Sequence, residues 1–247
     1  MFLLENDFDA PLSNLDFENG IVFLIDKPIH WTSFDVVNKL RWELRRITKN
    51  KKIKVGHAGT LDPLATGLLL ICSGKLTKRI DELMAIEKSY TGTIQLGATT
   101  PSLDAETQIS ETFPTEHIVP ATLEAARSRF IGDIEQIPPI FSAIKVDGER
   151  LYKDAHKGNY AEAEEKLKPR AVQIHDFAVR NLSLENKLDF YVRCSKGTYI
   201  RSLARDFGTA CDSGGYLSAL RRTAIGEFSV EKAWNLEQLI QKMKEIS

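Results

Sequence analysis

The chain has 247 residues, 43% of them apolar and 27% charged, enough to bury a sizeable core as one large domain or a large domain with an insertion. No apolar run approaches the roughly 20 residues of a bilayer span, and the start lacks a basic, apolar signal pattern, so a cytoplasmic protein is expected. A formal charge of -1 excludes a globally basic nucleic-acid binder, yet residues 1–20 hold five acids and no Lys or Arg, whereas Lys39 to Lys54 hold eight basic residues and only Glu43 as an acid.

Residues 1–20 mix acids with single aromatics and read as a weakly ordered, acidic extension. Gly20 to Asp26 is β-branched and apolar, the pattern of a buried strand. Lys27-Pro28 ends it, and Thr32-Ser33 introduces a helix from about Phe34 to Thr48 with Phe34, Val37, Leu40 and Leu44 on its apolar stripe. Next comes KVGHAGTLDPLATGLLLI, Lys54 to Ile71, in which Gly56, Gly59 and Gly67 bracket an apolar loop holding one acid, Asp62. From spacing alone, Asp62-Pro63 before an apolar run reads as a helix N-cap with proline at the first helical position. Gly74-Lys75 is not a phosphate-binding loop, because Leu76 stands where the magnesium-binding hydroxyl belongs.

Leu76 to Met84 reads as a short helix, and Lys88 to Leu96 alternates as a strand that puts Tyr90, Ile94 and Leu96 on one face. Tyr90 therefore points inward, as a core tyrosine or as the floor of a pocket. A polar connection over 105–120 precedes a helix from Ala121 to Phe130. The stretch from about 136 to 158, with Pro138-Pro139, Lys145, Gly148 and Tyr152, has the composition of a protruding loop. Val172 to Val179 and Leu188 to Cys194 alternate as two strands, and a helix opens near Arg201 and runs to about Cys211. A cation in a helix's first turn faces the partial positive charge of the helix end and calls for an anion. Leu236 to Ile246 is a final amphipathic helix. Cys72, Cys194 and Cys211 are odd in number with no CxxC spacing, and the five histidines lack ligand spacing, so reduced thiols and no metal site are expected.

The segment GHAGTLDPLATGLL resembles the active-site motif of the TruB family of pseudouridine synthases, with Gly, His, Asp, Pro and Gly in step. Further stretches agree with it: Lys27-Pro28 with Thr32-Ser33, Lys88-x-Tyr90 with Leu96-Gly97, Gly197-Thr198-Tyr199-Ile200-Arg201-Ser202, and Leu220-Arg221-Arg222-Thr223. The chain departs from the family pattern at His30, where glycine is usual, at Ser102 for threonine, at Phe141 for tyrosine and at His156 for arginine.

The resemblance implies an α+β fold, a mixed, mostly antiparallel sheet flanked by helices, with the catalytic domain over 21–247 and an RNA-gripping insertion near 136–158. Many relatives continue into a PUA domain, for which no residues remain here. By the same resemblance the chain isomerises uridine 55 in the T-arm hairpin of tRNA to pseudouridine, with no cofactor and no guide RNA, as a monomer. Asp62 is then the catalytic carboxylate, Arg201 its ion-pair partner, and Tyr90 a shaping or proton-removing group. His57, Tyr199, Leu220 and Lys88 meet the substrate, while Arg45, Arg46, Lys51, Lys52, Lys54, Lys145 and Arg221 meet the RNA backbone. Whether Asp62 attacks C6 of the base or C1′ of the sugar is open at this stage. A tRNA-folding chaperone without catalysis is the rival reading, and the presence of Asp62, Tyr90, Tyr199 and Arg201 together speaks against it.

Overall fold

The computed structural model describes residues 2–141, 145, 146, 149, 150 and 167–246. β1 (Phe2–Leu4) and β2 (Ile21–Lys27) are followed by α1 (Ser33–Thr48), β3 (Val55–His57) and β4 (Ala65–Ser73). A 3-10 turn, Gly74–Arg79, leads into the short α2 (Ile80–Met84), then β5 (Lys88–Leu96), β6 (Ala98–Thr99), β7 (Glu111–Thr112) and α3 (Pro120–Ser128). β8 (Gly132–Gln136), β9 (Lys145–Val146), β10 (Glu149–Arg150), β11 (Arg170–Arg180) and β12 (Lys187–Cys194) precede α4 (Ile200–Ala210). β13 (Gly215–Ile225), β14 (Phe228–Ser229), β15 (Trp234–Asn235) and α5 (Leu236–Lys244) follow. The class is α+β with largely antiparallel strand pairing. The chain divides into two compact units, 1–90 with 221–247 and 91–220.

In the first unit β2 pairs antiparallel with β4, from Val22 opposite Cys72 to Lys27 opposite Gly67, and β4 also pairs antiparallel with β3. β1 and β15 join β2 in parallel. Successive β2 side chains serve two cores. Ile21, Phe23 and Ile25 pack with Val36, Val37, Leu40 and Leu44 of α1 and with Leu236, Leu239, Ile240 and Met243 of α5. Val22 and Leu24 pack with Leu68, Leu70 and Cys72 of β4, Leu83, Ile225 and Phe228. Cover on both faces explains why β2 and β4 are continuous apolar runs instead of alternating ones.

Two expectations change here. The apolar run after Asp62-Pro63 is a strand, so Asp62 is not a helix cap. Residues 2–20 are pinned to the core: β1 pairs with β2, Leu4 and Leu12 are buried, and Phe17 stacks on Phe23 with ring centroids 6.2 Å apart. Isolated apolar residues at irregular spacing carry no periodic signal, so composition alone reads as disorder.

In the second unit β11 pairs antiparallel with β12, with a bulge between Ile174 and Asp176, and with β8 on its other side. The core there is aromatic: Phe177 meets Phe207 edge-on at 5.6 Å and Phe190 at 6.4 Å, and Phe130 packs on both Phe177 and Phe207. Such pairs add roughly 0.5–1.5 kcal/mol each beyond the area they bury. α4 buries Ile200, Arg201, Ser202, Leu203, Ala204, Phe207 and Gly208. The insertion expected near 136–158 falls largely on residues outside the described set.

Candidate active site

Asp62 lies in the first unit, half-buried on the loop between β3 and β4. Four residues from two stretches, 27–33 and Arg222, hold that loop. The buried Ser33 hydroxyl donates to the Leu61 carbonyl at 3.1 Å and accepts the Leu61 N–H at 2.8 Å. The His30 N–H donates to the Pro63 carbonyl at 2.8 Å. Lys27, fully buried, donates from Nζ to the carbonyls of Trp31 at 2.6 Å, Pro28 at 2.9 Å and Pro63 at 3.4 Å. Arg222, 1% exposed, donates from Nε to the Leu68 carbonyl at 2.7 Å and from Nη2 to the Gly59 carbonyl at 3.1 Å. The loop's own Asp62 carbonyl accepts the Ala65 N–H at 3.0 Å, closing the turn into β4.

Local sequence explains this rigidity. Thr32 caps α1: its side chain accepts the Asp35 N–H at 3.0 Å, and the Asp35 carboxylate accepts the Thr32 N–H at 2.9 Å. That reciprocal cap fixes the turn carrying Ser33. Gly67 has φ +102°, and a Cβ there would collide with the Arg222 backbone, so only glycine lets β4 approach Arg222. His30 sits at φ +67°, a left-handed conformation that costs a side chain roughly 1–2 kcal/mol.

The electrostatics of the loop are set by buried cations. Burial pulls the Lys27 ammonium down to about 8, with the Asp62 charge opposing that shift and Arg222 adding to it. Burial also lowers the His57 imidazole below its usual range, Arg222 lowers it further, and a hydrogen bond with the Gly59 backbone partly offsets both. His57 is therefore neutral at pH 7, and its Nδ1 is buried without a hydrogen-bond partner among the described residues. A neutral ring suits stacking or a single hydrogen bond, not phosphate binding.

The other expected residues of this unit divide clearly. Tyr90 is 8% exposed, on the buried side of β5. Lys88 is buried, and its Nζ donates to the Met84 carbonyl at 2.6 Å and the Ile86 carbonyl at 2.5 Å, which satisfies carbonyls at the end of α2. Arg221 grips Asp26 in a two-pronged pair, Nη1 to Oδ1 at 3.0 Å and Nη2 to Oδ2 at 2.7 Å. Arg46 is engaged with the chain itself: Nε pairs with the buried Glu43 at 3.0 Å, Nη2 reaches the Met243 carbonyl in the last turn of α5, and Nη1 the Ile246 carbonyl just past it. Arg45, Lys51, Lys52 and Lys54 are exposed. Lys145 lies in β9.

In the second unit Arg201 occupies the first turn of α4 and is 6% exposed. Nη1 donates to the Ser102 carbonyl at 3.0 Å and stands 3.7 Å from Asp104 Oδ2, and Nη2 donates to the Phe141 carbonyl at 2.8 Å. Asp104 is one anion that the cation at this helix end requires. Gln136, 1% exposed, brackets Tyr199: its Oε1 accepts the Tyr199 N–H at 3.0 Å and its Nε2 donates to the Tyr199 carbonyl at 3.3 Å. Ser202 Oγ donates to the Ile137 carbonyl at 2.8 Å, so the end of β8 and the residue after it brace the start of α4. Tyr199 and Leu220 are half-buried. Sequence reading left the supporting roles of Lys27, Ser33, Arg222, Gln136 and Asp104 unassigned. The Lys27-Pro28 and Leu220 to Thr223 stretches were visible, but nothing in them says that two cations are buried.

A model of the TruB family pseudouridylate synthase N-terminal domain matches residues 45–200, and one of the tRNA pseudouridylate synthase B C-terminal domain matches residues 201–246. A Flavobacterium johnsoniae protein named tRNA pseudouridine synthase B is 54% identical over 88% of this chain and 93% of its own length. A Phocaeicola vulgatus protein of the same name is 52% identical, over 90% of this chain and 93% of its own length. Among solved structures, a chain in the crystal structure of a Cbf5-Nop10-Gar1 complex superposes with a TM-score of 0.66 at 26% identity, covering 96% of this chain and 59% of that one. The chain belongs to the TruB family of pseudouridine synthases.

Proposed function

We propose that this enzyme isomerises uridine to pseudouridine in tRNA, at position 55 of the T-arm hairpin, with Asp62 as its reacting carboxylate. The observation that carries the reading is the Asp62 loop, a partly buried acid in an apolar turn held by Lys27, His30, Ser33 and Arg222. Four anchors on a loop of this size are what a reaction needs when one oxygen must meet one carbon in a fixed geometry. A carboxylate suits the task because it can add to carbon and leave again.

In the reaction the C1′–N1 bond of the nucleoside breaks and a C1′–C5 bond forms. The C5 proton leaves and N1 takes up a proton, so no water is consumed and no oxidant is needed. Addition of Asp62 to C6 and addition to C1′ give the same product and differ in the trapped adduct. The family resemblance assigns Arg201 the task of keeping Asp62 ionised during the reaction, since an unpaired buried carboxylate takes up a proton instead. Tyr90 lines the floor beneath the pyrimidine or takes the C5 proton, and Tyr199 and Leu220 pack against it. The target uridine leaves its stack at a cost of a few kcal/mol, and aromatic stacking of roughly 1–3 kcal/mol per base offsets part of that. Neutral His57 fills the space the base vacates. The enzyme acts in the cytoplasm as a monomer and without guide RNA, reading a folded hairpin by shape and phosphates.

The test is incubation of the purified protein with an unmodified tRNA transcript, followed by mapping of pseudouridine. Product at position 55 without added guide is expected. Asp62→Asn is expected to abolish turnover while leaving tRNA affinity within a few-fold of wild type. Turnover by Asp62→Asn near the wild-type rate removes Asp62 from its role, and tRNA binding without product leaves a chaperone.

A further inference from the structure

We infer that His30 is a substrate-contacting residue that hydrogen-bonds the RNA strand entering at the Asp62 loop. Its backbone is left-handed, at φ +67°, where a glycine would rest without strain. Its N–H is bonded to the carbonyl of Pro63, the residue after Asp62, at 2.8 Å. The turn on which it sits is rigid, because Lys27 Nζ bridges the Pro28, Trp31 and Pro63 carbonyls from below. The imidazole is exposed and makes no hydrogen bond among the described residues.

Structure thus gives the side chain nothing in return for the strain it imposes. A group that is strained, exposed and carried on a turn bonded to the residue after Asp62 is placed to meet whatever approaches that loop. Since the approaching molecule is RNA, an imidazole N–H is a donor for a ribose or phosphate oxygen of the strand. The cationic helix face nearby is already absorbed by the RNA-backbone contacts of the main reading, whereas His30 has no part in them.

This inference rests on the pseudouridine-forming reading, so wild-type turnover is measured beside each variant. Absence of wild-type product fails that reading, and the comparisons among variants test His30 alone. His30→Gly is expected to raise Tm by about 2–4 °C as the strain is relieved. The same variant is expected to raise KM for tRNA by about 5–10-fold, the equilibrium worth of one hydrogen bond, with kcat within two-fold of wild type. His30→Asn tolerates the left-handed backbone and keeps a donor and an acceptor, so it is expected to recover most of the affinity. A purely structural histidine would give the gain in Tm without the loss in KM. An unchanged KM in His30→Gly, or a His30→Asn variant as weak as His30→Gly, overturns the assignment.

Discussion

Lys27 is the residue at which burial, charge and proximity to Asp62 converge. Its ordinary value of 10.5 falls to about 8 in the fold, chiefly through burial. Between pH 8 and 10.5 the unfolded chain therefore binds more protons at this site than the folded one, so folding stability rises with pH across that window. Below pH 8 the whole cost of holding a charged amine inside is present, about 3 kcal/mol. Lys27→Met removes this linkage. The difference between wild-type and Lys27→Met unfolding free energies, followed by urea titration from pH 7.5 to 10.5, is expected to shift in favour of wild type as pH rises. A difference independent of pH would mean the ammonium is not desolvated. Nothing in Ile-Asp-Lys-Pro marks Lys27 as buried, because a lysine after a strand is ordinarily solvated. Motif wording singled out Asp62 and Arg201, whereas Arg222, fully buried in a strand, reads as surface.

At the scale of elements, the sequence was most legible where periodicity was clean. α1, β5, β12 and α5 fall within a few residues of expectation. β4 was misread because a continuous apolar run bounded by Asp-Pro and Gly fits a buried strand and a buried helix equally well. Its partner β2 decides the matter by supplying an antiparallel edge over six register pairs. β13 was missed since Arg221 and Arg222 interrupt its apolar pattern. The element that matters most to the site is the first turn of α1. Removing the Thr32 cap takes away one accepted N–H and is expected to cost about 1 kcal/mol. Ser33→Ala strips both the N–H and the carbonyl of Leu61 of their partner in a buried setting and is expected to cost more, about 2–3 kcal/mol. The order is the test in chemical denaturation. Ser33→Ala should also depress kcat more than Thr32→Ala does, because it releases the loop that carries Asp62 and not only the helix end. Equal effects on kcat would show that the loop is held mainly by Lys27, His30 and Arg222.

For the molecule as a whole, the formal charge of -1 hides a local surface that behaves otherwise. Between Lys39 and Lys54 the basic side chains separate into two groups. Arg41 donates to Asn38 and the Val55 carbonyl, and Arg46 to Glu43 and to the Met243 and Ile246 carbonyls at the end of α5, so both are committed to the fold. Lys39, Arg45, Lys49, Lys51, Lys52 and Lys54 are exposed, and the acid in their midst, Glu43, is buried beneath Arg46. Each phosphate neutralised releases counterions, with a slope of roughly -0.7 to -0.9 in log K against log salt. If about five of these groups engage RNA, tRNA affinity falls by about two to three orders of magnitude between 50 and 200 mM salt. Lys51→Ala is expected to make the slope shallower by about 1 unit. Arg46→Ala is expected to leave the slope unchanged while lowering Tm, since its guanidinium closes α1 onto the end of α5. A flat salt response would move RNA off this surface, and a slope that changes with Arg46 but not with Lys51 would reverse the division between structural and RNA-facing cations.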